Sequence, residues 1–211
     1  MPELYIITGS NGAGKSSIGP IYFPKHIQNN YTVFDGDKLF MQKQKELWNQ
    51  GIRANKEAKK LAFSVVEETF DRLTEDALKR NDNFVYEGHF TNDATWDIPR
   101  RFRQQGYTIN LIFLGLSNPE LSDLRVIDRA KGGGHYVPPH TVRDNFYGNL
   151  EKLNQHFTIA DNLQIIDTSE TDHVLLVHLI AGKIQYAAPF NELPLWFIKY
   201  LPALLNLINN K

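Results

Sequence analysis

Ile7–Ser17 reads ITGSNGAGKSS. Gly9, Gly14, Lys15 and Ser16 within it satisfy the pattern G-x-x-x-x-G-K-[ST]. Glycines let the main chain curl until successive N–H groups point inward around a phosphate chain. The lysine adds a point charge for the β- and γ-phosphates, and the serine hydroxyl suits a magnesium ion. At ordinary residue usage the pattern arises by accident in roughly one chain of this length in a hundred. Its setting narrows that further. "ELYIIT" before it is a short apolar run that reads as a buried strand ending at Gly9. "KSSIGPIYF" after it predicts a helix from about Lys15, limited or kinked by Pro20. Gly9, Ser10, Asn11, Gly12, Ala13, Gly14, Lys15, Ser16 and Ser17 are therefore read as a nucleotide-binding loop, with Ser16 as the metal contact.

Outward from this loop, strands and helices alternate. "YTVFD" is a second strand ending at Asp35. From Asn55 to Lys79, Ala58, Leu61, Ala62, Val65, Phe70, Leu73 and Ala77 recur at helical steps. "NFVYEG" is a third strand. A helix follows from Asp93 to Gln105, closed by Gly106, with Pro99 as a point for a kink. "YTINLIFLGL" is the fourth and clearest strand. "NPELSDLRVIDRAK" opens a helix with Asn118 as cap and Pro119 at its first position. "GGGHYVPP" excludes regular structure, Thr141 to Phe157 is helical, and "NLQIIDT" is a fifth strand. "HVLLVHLIAGKIQYAAP" reads as a hairpin turning at Gly182-Lys183. The apolar segment "LPLWFIKYLPALLNLI" carries Lys199 and Pro202 and is short for a bilayer span. It reads as a packing helix, with a membrane-surface or partner helix as the alternative.

This alternation predicts an α/β P-loop NTPase fold of three layers around a five-stranded, mainly parallel sheet. One domain over residues 1–211 is expected, with a helical lid at about 125–145 and a C-terminal hairpin plus helix at about 171–211. The chain is long enough to bury a core without staples: 211 residues, 42% apolar and 22% charged. It has no cysteine, which excludes disulfides and thiolate metal sites. A net charge of −1 and the lack of a long basic run argue against nucleic acid as a partner. "MPELYIITG" lacks a basic n-region, so a cytoplasmic protein with no membrane span is expected.

Phosphoryl transfer needs an oriented acceptor and positive charge near the moving group. "FDGDK" places Asp35 and Asp37 just past the second strand. Asp37, further from the strand, is the better base for an acceptor hydroxyl, and Asp35 a substrate contact. An ordinary Asp-Gly turn is the plain alternative. Glu87 in "YEGHF" ends the third strand, where a carboxylate is costly unless paired. It suits an acceptor hydroxyl or a magnesium-bound water, and a salt bridge is the alternative. His89 is a weaker substrate contact, equally readable as a satisfied histidine. Arg125 and Arg129 share a helix face, and Arg143 begins the return helix. A lid hinged on the glycine triplet would bring such guanidinium groups over ATP and exclude water.

The set "GSNGAGKS", "FDGDK", "YEG" and "RVIDRAKGGGHYVPPHTVRDNF" resembles the zeta toxin family, P-loop kinases that include UDP-N-acetylglucosamine kinases. The likeness runs in motif order over roughly residues 3 to 167. It implies ATP and Mg2+, with the γ-phosphate moved to a hydroxyl of a nucleotide-sugar. Asp37 matches the family's general base. Lys15 and Ser16 match its phosphate-loop residues, and Glu87 matches its acceptor-associated acid. Arg125, Arg129 and Arg143 match lid-region arginines, Arg125 toward the nucleotide and the other two toward transfer. After Glu87 the family's toxins carry Gly-Thr, or Thr-Thr in shorter relatives, where this chain has Gly88-His89. An antitoxin is a partner the family implies; no antitoxin-like segment lies in this chain.

Two other functions stay open at this point: a kinase of another small metabolite or nucleoside, and a nucleotide-dependent regulatory ATPase. Against the latter, "NLIFLGL" ends without the acidic residue many P-loop ATPases use for magnesium.

Overall fold

The structure is a computed structural model that describes residues 1–52, 54–132 and 136–209. Its strands are β1 (Glu3–Gly9), β2 (Phe34–Asp35), β3 (Phe84–Glu87), β4 (Thr108–Gly115), β5 (Asn162–Asp167), β6 (Val174–Ile180) and β7 (Lys183–Ala187). They form one sheet in the order β2-β3-β1-β4-β5-β6-β7. β2 to β5 pair in parallel, whereas β5–β6 and β6–β7 are antiparallel. The predicted hairpin is thus β6–β7, and it extends the sheet to seven strands instead of standing apart from five. β1 lies between β3 and β4, and β4 is buried from Ile109 to Gly115, as the long apolar run requires.

The helices are α1 (Lys25–Asn30), α2 (Gly36–Asn49), α3 (Asn55–Arg80), α4 (Asp97–Gln104), α5 (Pro119–Lys131), α6 (Pro139–His156), α7 (Leu195–Tyr200) and α8 (Pro202–Asn209). No α-helix begins at Lys15. The N–H groups of Ser17, Ile18 and Gly19 all close on the Gly14 carbonyl, and a 3-10 turn over Gly19–Tyr22 takes over. Pro20 has no N–H to extend an α-helix, and Pro24 starts the short α1 afresh. Pro99 does not kink its helix either. It sits buried in the first turn of α4, where its missing N–H is harmless, and the break falls earlier, at a 3-10 turn over Asp93–Trp96. The second strand shrinks to two residues at the sheet edge.

α3 lays Phe70 against Phe34 and Tyr86, with ring centroids 5.2 and 5.3 Å apart. α6 buries Phe146, Leu150 and Leu153. The C-terminal apolar segment breaks at Leu201-Pro202 into α7 and α8; Trp196 and Phe197 of α7, Leu201 at the break and Leu204 of α8 are buried in the main core. No described helix is long and apolar enough to cross a membrane.

Trp196 packs close against β4 because Gly115 has no side chain: a Cβ there would lie 2.2 Å from the indole. The ring is 2% exposed and has nowhere to go. Gly115→Ala is expected to destabilise the protein by about 1–3 kcal/mol. Thermal unfolding should show it as a drop of several degrees, and Gly115→Ala combined with Trp196→Leu should recover part of the loss.

Candidate active site

The loop after β1 leaves the sheet at Gly9, whose φ of +135° and 2.1 Å separation between a notional Cβ and the Leu114 carbonyl admit only glycine. Beyond it, three carbonyls are drawn outward by side chains from neighbouring elements. Ser122 Oγ donates to Asn11 O, Arg125 Nη1 to Gly12 O at 3.3 Å, and Thr168 Oγ1 to Ala13 O at 3.0 Å. In a trans peptide the N–H points opposite its C=O. The N–H groups of Gly12 and Gly14 are thereby turned inward. Among the described residues, no backbone carbonyl accepts from the N–H groups of Gly12, Gly14, Lys15 or Ser16. That is a ring of donors suited to phosphate oxygens. With no long helix behind the loop, these N–H groups and the Lys15 ammonium are what it offers an anion.

A cavity of about 360 Å³ opens over the loop. It is lined by Asn11, Gly12, Gly14, Lys15, Ser16 and Ser17 from the loop, and by Asp35, Asp37, Lys38 and Met41 from β2 and α2. Glu87, Arg125 and Arg129 complete it. Lys15 Nζ donates to the carbonyls of Gly9 and Ser10, both at 3.1 Å. Burial lowers its pKa, and the negative charges of Glu87 and then Asp37 oppose that shift. Ser16 Oγ donates to Glu87 Oε1 at 2.7 Å, while Glu87 Oε2 is buried without a partner. Burial pushes the Glu87 carboxyl up to about 7; the Ser16 bond opposes this and Asp35 adds to it.

The candidate residues separate into those facing the cavity and those committed elsewhere. Asp35 caps α2, accepting from Lys38 N–H at 2.9 Å, so its position at the rim is set by helix capping. Asp37 sits exposed in the first turn of α2, across the cavity from the loop. Arg129 lines the cavity, and its charge acts on Lys15. Arg125 also lines it, but its guanidinium is committed to three carbonyls: Gly12, Thr168 at 2.8 Å and Ser169 at 2.7 Å. It holds the loop to the end of β5. Arg143 is not in the cavity. It projects from α6 toward Glu120 at 3.7 Å and is 58% exposed. His89 is not a lining residue either; its ring turns beneath the loop.

The region expected to act as a lid holds α5 and α6, with a small apolar cluster of Val126, Val137 and Val142. Gly133, Gly134 and His135, part of the expected hinge, lie outside the described residues. Ser122, Thr168, Met41 and Lys38 went unread in the sequence. The first two belong to no motif, and the last two ride on α2, which the periodicity did not reveal.

Glu87 supplies a test by titration. Its folded pKa lies above the ordinary carboxylate value, so the folded state binds this proton more tightly than the unfolded chain. The resulting stability is present below about pH 4.5 and is lost as pH rises through about 7. Glu87→Gln is expected to gain on the wild type between pH 5 and pH 8, by an amount on the order of 2 kcal/mol. Melting curves of both proteins at the two pH values check this. A constant difference between them would contradict the burial of this carboxyl.

Residues 1–176 match the Zeta toxin family. No curated protein matches the sequence. In structure the chain is similar to one in AvrRxo1-ORF1:AvrRxo1-ORF2 with sulphate ions, at a TM-score of 0.72 and 14% identity. A crystal structure of AvrRxo1-ORF1:-ORF2 with ATP gives 0.70 and 15%. In both, 95% of this chain covers 64% of the other, so it spans less than two thirds of those chains. It is similar too to a chain of the PezAT chromosomal toxin-antitoxin system of Streptococcus pneumoniae, with a TM-score of 0.65 and 20% identity. There 99% of this chain and 87% of that one are covered. At such identities the structures share a fold, that of a P-loop α/β protein. The family match spans well over half of the sequence and includes the phosphate loop, Asp37, Glu87 and the α5–α6 hairpin: the chain belongs to the zeta toxin family.

Proposed function

We propose that the protein is an ATP-dependent kinase that moves the γ-phosphate of ATP to a hydroxyl of a small acceptor, with UDP-N-acetylglucosamine as that acceptor. One observation carries the reading. A single cavity of about 360 Å³ collects the phosphate loop, Asp37, Glu87 and Arg129 at one end of the sheet. Such a cavity holds donor and acceptor together and keeps the positive charge beside the transferring group.

The inward N–H groups and Lys15 bind the phosphate chain. Lys15 must leave the carbonyls of Gly9 and Ser10 to do so. Asp37, exposed and facing the loop, takes the proton from the acceptor hydroxyl. Glu87 orients the acceptor or its nearby water, and Arg129 balances charge on the moving phosphoryl. The oxygen donors fit Mg2+: a serine hydroxyl beside a carboxylate whose second oxygen has no partner. No cluster of three or more metal-binding side chains exists among the described residues, which suits an ion held mainly by phosphate oxygens. Bound there through Ser16 and Glu87, it would supply charge neutralisation of the β- and γ-phosphates.

The structure of AvrRxo1-ORF1:-ORF2 with ATP supports nucleotide binding by this fold. The toxin-antitoxin system of the PezAT chain supports an antitoxin as a protein partner. The setting we infer is the cytoplasm, where ATP and nucleotide-sugars meet.

Labelled ATP offered with a panel of nucleotide-sugars and small alcohols should label one acceptor class. Asp37→Asn should slow that transfer about 10²–10⁴-fold while keeping ATP affinity. Label released only as free phosphate, at a rate indifferent to Asp37→Asn, would replace the kinase with a hydrolase. Arg129→Ala should lower kcat far more than ATP affinity; equal losses in both would make it a ground-state contact.

A further inference from the structure

Asn149 of α6 is 1% exposed and does not line the cavity, yet both ends of its side-chain amide have partners. Phe90 N–H can only donate, and it donates to Asn149 Oδ1 at 2.7 Å. Thr8 Oγ1 donates to the same oxygen at 3.1 Å. The amide nitrogen therefore faces the other way. It donates to the Asn145 carbonyl one helical turn back and lies 3.1 Å from His89 Nδ1. A buried amide is costly unless its bonds are made, and with these bonds made its orientation is fixed.

The two groups that share the oxygen come from different strands. Thr8 immediately precedes Gly9, where the phosphate loop leaves the sheet, and Phe90 stands three residues past Glu87. β1 and β3 pair in register as far as Ile7 opposite Glu87, and Gly88 N–H then donates to Ile7 O at 3.1 Å. Past that bond, among the described residues, no main-chain hydrogen bond joins the two segments. Asn149 Oδ1 supplies the next rung from outside the sheet. It ties the root of the loop to the chain that has just delivered Glu87. Gly148 makes the reach short: a Cβ on it would lie 2.9 Å from Thr91 Cβ, so α6 lies close upon the segment after Phe90. One turn earlier on α6, Asn145 Nδ2 donates to Asn11 Oδ1 at 2.8 Å, within the loop itself.

We propose that Asn149 is a positioning residue of the nucleotide site: its amide oxygen fixes the root of the phosphate loop against the end of β3, and so holds the loop ready for ATP. It stands outside the cavity and acts through Thr8 and Phe90. It rests on the kinase reading only in that the loop binds ATP.

The test is ATP affinity by titration calorimetry, with no acceptor present and well below the melting temperature of each variant. Asn149→Leu keeps similar bulk without the oxygen and should weaken ATP about tenfold, the worth of one hydrogen bond in a preorganised site. Thr8 gives the discriminating pair. Thr8→Val keeps the shape and loses the hydroxyl, and should weaken ATP about threefold. Thr8→Ser loses a buried methyl but keeps the hydroxyl; it should melt earlier yet bind ATP within about twofold of the wild type. Added to Asn149→Leu, Thr8→Val should cost no further affinity, because the partner of its hydroxyl is already gone. Wild-type affinity in Asn149→Leu, a Ser variant as weak as the Val variant, or full additivity in the double variant would overturn the inference. Lys15→Ala separates the levels. If that variant keeps full ATP affinity, the loop reading itself fails. If it loses affinity while Asn149→Leu and Thr8→Val do not, only the role of Asn149 fails. Should Asn149→Leu fail to fold, the Thr8 pair still decides.

Discussion

Parallel pairing of β1 with both neighbours is the constraint on which the site depends. Ile7 stands opposite Glu87 on β3, and Gly9 opposite Leu114 on β4. Parallel strands end on the same side, so this register delivers the phosphate loop, Glu87 and the start of α5 to one edge of the sheet. β2 extends the line, with Asp35 opposite Glu87, and hands the chain directly to α2 and Asp37. A register shift of one residue would turn Glu87 to the other face of the sheet and empty the cavity of its buried carboxyl.

That edge concentrates charge where water is scarce. Lys15 and Glu87 are both disfavoured as ions by burial, and each is partly restored by the other's charge. The protein meets the cost with local bonds. Lys15 rests on loop carbonyls and Ser16 on Glu87, but one carboxylate oxygen stays unpartnered. Groups arranged this way hold their positions while remaining incompletely satisfied, which is the condition of a site prepared for a charged ligand.

The loop was legible because its chemistry is local: glycine, lysine and serine at fixed spacing carry their own geometry. The succession of strands along the chain was legible from apolar runs and turns, but not their order in the sheet. α2 was not. None of its residues is buried, so no apolar stripe marks it, even though it carries Asp37. The hairpin β6–β7 was readable, but its addition to the sheet depends on pairing with β5, which no short segment encodes. The arginines divide for a similar reason. Arg129 follows Arg125 on one helix face and reaches the cavity, whereas the direction of Arg143 depends on how α6 packs against α5. His89 could not be oriented from sequence, because Gly88 ends the strand alternation just before it. Asn149, which fixes its ring, lies sixty residues away in the chain.

The short 3-10 turn that stands in place of a helix after the loop also accounts for an oddity of the central strands. Strands buried on both faces of a parallel sheet are normally apolar throughout. Here Asn110, Asn162, Gln164 and His178 share one groove with Glu3 and Tyr5. The segment that crosses this face is only the 3-10 turn and α1, which cover Tyr5 with Phe23 and seat Gly19 on Ile7. It stops short of β5 and β6, leaving a groove of about 350 Å³ rimmed by Tyr22, Pro24 and His26. Polar side chains are what an uncovered sheet face needs, and Asn162 Nδ2 donates to Asn110 Oδ1 at 2.6 Å across neighbouring strands. Pro20 thus acts at two distances. It keeps an α-helix from forming behind the phosphate loop, and the short segment that stands there instead leaves one side of β4 and β5 open to water.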